Sequence, residues 1–225
     1  MNKQLTMIRG LAAILLAGAP ALTPANVVVN NLDQSVAGYE TSFHDPSSGA
    51  FEWYAQSFST GANAYRLDSI IAPLGNATGG AGLNVVAELR LGAGSVPADT
   101  GVPLVFSSPL SGTGIGNVTL TPSTPVTLDV NQTYWLVFGA NAAPSATEVV
   151  GFDWNFAKSG LWTGEGTLGG WSEYDETSLG WSAAESSAPQ MLQVLATAIP
   201  EPQTVYSFLM GLGLVGYIIG KTHRR

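Results

Sequence analysis

Cysteine is absent from the sequence, and histidine is nearly so, with two residues. The first absence excludes disulfide frameworks, thiolate zinc sites, iron–sulfur clusters and cysteine nucleophiles. The second leaves His44 alone between the termini, because His223 falls among the last five residues. Neither a multi-histidine metal site nor a paired-histidine mechanism can be assembled from one imidazole. Beside Asp45 and Pro46, His44 reads as a residue of a polar turn. Basic residues are scarce as well: 8 Lys and Arg stand against 16 Asp and Glu, a net charge of -8. Phosphate backbones are bound by clustered Lys and Arg, so no nucleic-acid partner is expected. Charged residues make up only 11%, yet hydrophobic residues reach 45%, which separates this chain from disordered acidic polymers. Its 225 residues suit one domain with a core large enough to need no staples.

Helical periodicity is missing from the middle of the chain, and what replaces it is a period of two. Leu83, Val85, Ala87, Leu89 and Leu91 alternate with Asn84, Val86, Glu88 and Arg90. The alternation returns at Val126, Leu128 and Val130, and at Val118 and Leu120 before Pro122. Thr133–Phe138 is apolar on both faces and reads as a central strand; 51–60, 65–74, 149–156 and 191–198 are further strands. Clusters such as Asn76-Ala77-Thr78-Gly79-Gly80 and Ser111-Gly112-Thr113-Gly114 supply the turns. Many short strands without alternating helices predict an all-β fold, an antiparallel β-sandwich of jelly-roll type, over residues 26–198. No internal repeat supports a propeller or solenoid.

Both ends carry targeting patterns. Lys3 and Arg9 precede an apolar run over Leu11–Ala17, then small residues and prolines, as in a secretory signal peptide over 1–25. Cleavage after Ala21 and cleavage after Ala25 both fit the small-residue rule. Signal peptidase and the secretion machinery are the partners this implies. At the other end, residues 199–225 hold Pro200-Glu201-Pro202, an apolar run predicted as a transmembrane helix over 204–220, and the basic residues Lys221, Arg224 and Arg225. The sixteen residues from Val205 to Gly220, at about 1.5 Å each, reach roughly 24 Å, and adding Gln203 and Thr204 with local thinning brings a core of about 30 Å within range. The basic tail stays cytoplasmic by the positive-inside rule.

This order of Pro-Glu-Pro, short apolar helix and terminal arginines resembles the PEP-CTERM sorting signal of exported proteins in Gram-negative bacteria. The resemblance implies processing at Pro200, Glu201 and Pro202 by an exosortase, a membrane-embedded cysteine protease. It also implies transient anchoring in the inner membrane, then residence at the cell surface or in an extracellular matrix. The middle resembles the choice-of-anchor R domain through Ala55-Gln56-Ser57-Phe58-Ser59-Thr60-Gly61, Tyr65-Arg66-Leu67-Asp68-Ser69-Ile70, Thr133-Tyr134-Trp135-Leu136-Val137 and Met191-Leu192-Gln193-Val194. That resemblance implies an exported β-rich domain and carries no catalytic residues.

Between the targeting ends only Arg66, Arg90 and Lys158 remain against fifteen acids, a net charge of -12. No GxSxG elbow, HExxH, P-loop or EF-hand loop occurs. Gly164-Glu165-Gly166-Thr167-Leu168-Gly169 matches GxGxxG but leads into Gly170-Trp171 and not into a helix, so it reads as a glycine-rich turn. Asn76, Asn117 and Asn131 begin sequons that a chain rich in Asn, Ser and Thr produces by chance.

Aromatic residues are the strongest local feature. Four of the six tryptophans fall between residues 152 and 181, interleaved with carboxylates and amides. Trp154, Trp162, Trp171, Tyr174 and Trp181 are candidates to stack on sugar rings, with packing in the core and at turn ends as the competing reading. Asp153, Asp175 and Glu176 are weak candidates for calcium ligands. No cofactor is expected. The sequence thus points to an exported, non-enzymatic surface or exopolysaccharide-matrix protein with a glycan-binding face. Its rival is a secreted glycan hydrolase or lyase working through a carboxylate pair.

Overall fold

The structure is a computed structural model and describes residues 25–200. The signal peptide expected over 1–25 (all but its last residue), Glu201, Pro202, the helix expected over 204–220 and Lys221, Arg224 and Arg225 lie outside the described residues. Among the described residues no helix is long and apolar enough to cross a membrane. Their one helical element is a short 3₁₀ turn, Gly80–Gly82.

Twelve strands are described: β1 Asn26–Asn30, β2 Val36–His44, β3 Phe51–Ser59, β4 Tyr65–Thr78, β5 Leu83–Ala93, β6 Val96–Phe106, β7 Ile115–Pro122, β8 Thr127–Leu128, β9 Thr133–Ala142, β10 Val150–Ala157, β11 Thr167–Asp175 and β12 Gln193–Ala198. Every named strand pair is antiparallel, as the alternation predicts. The expected jelly-roll sandwich of two separate sheets is replaced by one sheet closed on itself. Its order β4–β10–β2–β3–β9–β5–β6–β7 returns to β4 through the β4–β7 pairing, which makes an eight-strand barrel with extra strands. The physical reason lies in β4. Fourteen residues long, it pairs with β12 over its first half and β10 over its second, and still has an edge for β7 and β8. A strand long enough to serve both ends of a twisted sheet removes the free edges that two open sheets would leave.

Side chains that alternate along each strand fill the interior with Phe58, Tyr65, Ile70, Leu120, Leu136, Phe138, Phe152, Trp154 and Val194, all of them buried. Trp154 stands edge-on to Phe138 at 4.7 Å between ring centroids, and its indole N–H donates to the Met191 carbonyl at 2.8 Å. That bond removes the cost of burying its polar atom.

Two local breaks in the sheet are repaired by side chains. β2 and β9 both approach β3, and the Ala140 and Ala142 N–H groups donate to Ser42 Oγ at 3.1 Å and His44 Nδ1 at 3.0 Å. His44 is therefore a splice in the wall. The pairing of β11 with β3 shifts register between Leu168 and Trp171, leaving the Gly169 and Gly170 carbonyls out of the ladder. Buried Gln56 answers with its Nε2, which donates to both at 2.8 and 3.1 Å, while its Oε1 accepts from the Gln190 N–H at 2.8 Å. The glycine-rich turn that precedes β11 is a packing element. Gly164 has φ 121°, and a Cβ there would stand 2.5 Å from the Val28 carbonyl oxygen. Between the two glycines Glu165 accepts a hydrogen bond from the Tyr65 hydroxyl.

Candidate functional site

A groove of about 700 Å³ opens on the outer face of the barrel wall formed by β3, β9 and β5. Its construction follows from strand parity. Tyr54 points inward with Phe138, so Trp53 points outward, where it covers Gly139 of β9 and donates from Nε1 to the Ala140 carbonyl at 3.3 Å. Arg90 lies opposite Trp135 in the β5–β9 ladder and packs its stem over Gly101 of β6. Without a Cβ at Gly139 and Gly101, an indole and a guanidinium stem lie against the sheet where any larger residue would lift them. Ala55, Trp135 and Val137 form a small outer core beneath Trp53 and Trp181.

One wall of the groove is the β5–β6 hairpin, with Ala93 and Val96–Asp99. The other is the end of β11 and the turn after it. Tyr174 pairs with Trp53 in the β3–β11 register and bridges to Trp181. Its ring lies 6.3 Å from Trp53 and 5.4 Å from Trp181, so three aromatic side chains line one hollow. Asp175 fixes the turn. Its Oδ1 accepts from the Thr177 and Ser178 N–H groups, and these bonds, Ser178's first, hold its carboxyl down at about 2. Leu179 follows with φ 46°, a left-handed backbone for a branched residue, and its side chain is 71% exposed on the groove's rim. Strain at an exposed apolar residue beside a hollow is a mark of binding sites.

Polar chemistry in the groove comes from Arg90 and Asp99. Arg90 Nε donates to Glu88 at 2.8 Å, its Nη1 donates to the Ala98 carbonyl at 3.2 Å, and the guanidinium lies 5.8 Å from the Trp181 ring centroid. A cation held by a carboxylate, a carbonyl and an aromatic face is fixed in orientation.

Of the five aromatic residues that the sequence singles out, the groove gathers two, Tyr174 and Trp181. Trp154 is corrected to a core residue, 1% exposed, because it shares inward parity with Phe152. Trp171 has the opposite parity to Tyr174: it packs on Tyr54 at 6.1 Å and donates to the Ser187 carbonyl at 2.6 Å. Trp162 is partly exposed in the turn before β11 and donates to the Gly166 carbonyl at 3.1 Å, away from the groove lining. Sequence reading missed Trp53, Arg90 and Asp99. The Phe51-x-Trp53 alternation was the available signal for the first, and the polar face of β5 for the second.

The calcium candidates are not brought together. Asp153 is buried and accepts from Thr41 Oγ1 and Asn76 Nδ2, both at 2.7 Å. Asp175 serves its own turn, and Glu176 accepts from the Phe51 N–H at 3.2 Å. Among the described residues no group of three His, Cys, Asp or Glu is placed to hold a metal ion. The Asn76 amide is engaged with Asp153, which leaves that sequon unsuited to a glycan.

A second cluster lies on the other face of β11. Glu173 meets Glu52 of β3, Glu40 of β2 and its neighbour Asp175, and Tyr54 donates its hydroxyl to Glu52. Burial first, then the charge of Glu52, pushes the Glu173 carboxyl up to about 7. Glu40 is raised by burial and by Glu52, partly offset by Tyr54, and the Tyr54 phenol is itself raised by burial and by Glu52. No family model and no curated protein matches the chain.

Proposed function

We propose that the protein is an exported, non-enzymatic component of the cell surface or exopolysaccharide matrix of a Gram-negative bacterium. On this reading an exosortase processes it at Pro200-Glu201-Pro202, after transient anchoring in the inner membrane, and its barrel domain binds glycan in the groove. The observation that carries the binding role is the aromatic trio Trp53, Tyr174 and Trp181 set beside Arg90 and Asp99. Flat π-faces take the C–H faces of sugar rings, and a fixed donor beside a carboxylate takes their hydroxyl edges. One carboxylate, Asp99, stands in the described lining, whereas glycoside hydrolysis of the common kind uses two across the scissile bond.

Affinity electrophoresis of the purified protein in gels containing the producer's own exopolysaccharide tests the binding role. Retardation is expected, and free migration through every polysaccharide tried contradicts it. Sorting is tested by replacing Pro200, Glu201 and Pro202 with alanine. Full-length protein should then stay in the membrane fraction, and unchanged release overturns that part of the reading.

A second reading, hydrolysis or lysis of glycan, draws on the Glu52–Glu173 pair, in which burial and the charge of Glu52 raise the Glu173 carboxyl to about 7. It requires new reducing or unsaturated ends from a polysaccharide, lost in Glu173→Gln.

A further inference from the structure

The barrel domain has three basic residues for fifteen acids, and Arg90 is the one that lines the groove. Arg66 pairs with Asp68 at 3.6 Å on another part of the surface, with its own side chain largely exposed. Arg90 is unlike it. Only 7% exposed, it is fixed by Glu88, the Ala98 carbonyl and Trp181, and seated over Gly101. Its charge is balanced by Glu88 before any ligand arrives, and exposed Asp99 adds a further negative charge to the lining. The local sum of Arg90, Glu88 and Asp99 is one negative charge, inside a domain whose net charge is -12.

Resting on the glycan reading above, we infer that the groove selects uncharged saccharides and excludes uronate-bearing ones, with Arg90 and Asp99 as the specificity-determining pair. Arg90 acts as an oriented donor to a ring hydroxyl and not as a counter-ion, because Glu88 already neutralises it and Asp99 adds a negative charge to the same lining. Asp99 accepts from a hydroxyl and repels a carboxylate. The aromatic faces of Trp53, Tyr174 and Trp181 give affinity to either kind of sugar, so the discrimination comes from charge alone.

Isothermal titration of the intact protein with a neutral β-glucan, a neutral mannan, polygalacturonate and alginate separates the possibilities. Wild type should bind a neutral polymer and bind the two polyuronates at least about tenfold more weakly at low salt, where surface charges act fully. Asp99→Asn, a change at an exposed position, should narrow that gap by enhancing polyuronate binding, and added salt should narrow it in wild type. Tighter binding of a polyuronate than of either neutral polymer by wild type overturns this inference and leaves the glycan reading standing. An unchanged gap in Asp99→Asn also overturns it. Binding to none of the four overturns both, and so does capture of a proline-rich peptide in their place, since aromatic grooves also suit extended proline segments.

Discussion

Trp53 lies over Gly139, so close that a Cβ on Gly139 would stand 2.3 Å from an indole carbon. The two residues sit in neighbouring central strands, and the absence of one side chain sets the height of the other. Gly139→Ala should push Trp53 off the sheet, cost about 1–3 kcal/mol as other overpacked sites do, and weaken glycan retardation. Urea unfolding and affinity electrophoresis on the same preparation check both parts.

Gln56 carries the irregular register between β3 and β11. Gln56→Ala leaves the Gly169 carbonyl and the buried Gln190 N–H without their side-chain partner, while the Gly170 carbonyl keeps the Ser57 hydroxyl at 2.8 Å. A buried group left unpaired costs about 1–3 kcal/mol, and the exposed Gly169 carbonyl can turn to water, so a loss of about 1–3 kcal/mol is expected. A midpoint in urea within error of wild type would show that the bulge is held by something else.

Leu179 holds a left-handed backbone that favours glycine. Leu179→Gly should relieve that strain and stabilise the fold by about 1 kcal/mol after the extra freedom of glycine in the unfolded chain is subtracted. The same change removes an apolar side chain from the groove rim, so affinity for glycan should fall as the thermal midpoint rises. A gain in both would place Leu179 outside the binding surface.

Glu173 makes the fold sensitive to pH. Its carboxyl, raised to about 7 against an ordinary 4.5, faces Glu52, Glu40 and Asp175, with the Tyr54 hydroxyl engaged by Glu52. The folded protein holds a proton that the unfolded chain releases, so this contribution is fully present below pH 4.5 and is lost as pH rises through 7. Glu40 acts in the same direction. Asp45 and Asp175, both lowered to about 2 from 3.8, work oppositely: their contribution is present above pH 3.8 and lost as pH falls through 2. Thermal midpoints should therefore decline between pH 5 and pH 8, and Glu173→Gln should flatten that decline. A midpoint that rises with pH over this window contradicts the placement of Glu173 beside Glu52 and Glu40.

Strands whose apolar parity is strong were legible without coordinates. The alternation over Leu83–Leu91 is β5, and the two-faced apolar run at Thr133 opens β9, buried on its inner face by the core and on part of its outer face by Trp53 and Trp181. β2 and β6 were not legible. The inward face of β2 holds Gly38, Glu40, Ser42 and His44, and β6 contains Pro97 and Pro103, so neither shows an apolar period. Closure of the barrel was hidden for a different reason: alternation reports which face is buried and says nothing of which edges meet. For the site, aromatic density between residues 152 and 181 led to Tyr174 and Trp181 but also to Trp154, because composition does not distinguish inward from outward parity. Trp53 and Arg90 come from distant strands and join the site only through the β3–β9–β5 register.

The claim that the groove binds glycan through stacked aromatic faces meets its most direct test in one comparison. The dissociation constant for the producer's own polysaccharide is measured by titration calorimetry for wild type, Trp53→Ala and Tyr174→Ala, with unfolding midpoints taken alongside. Weakening by about fivefold to tenfold in variants that remain folded, as the loss of a stacking face of about 1–1.5 kcal/mol requires, is the predicted result. Affinities equal to wild type in folded variants would place the binding surface elsewhere and contradict the account.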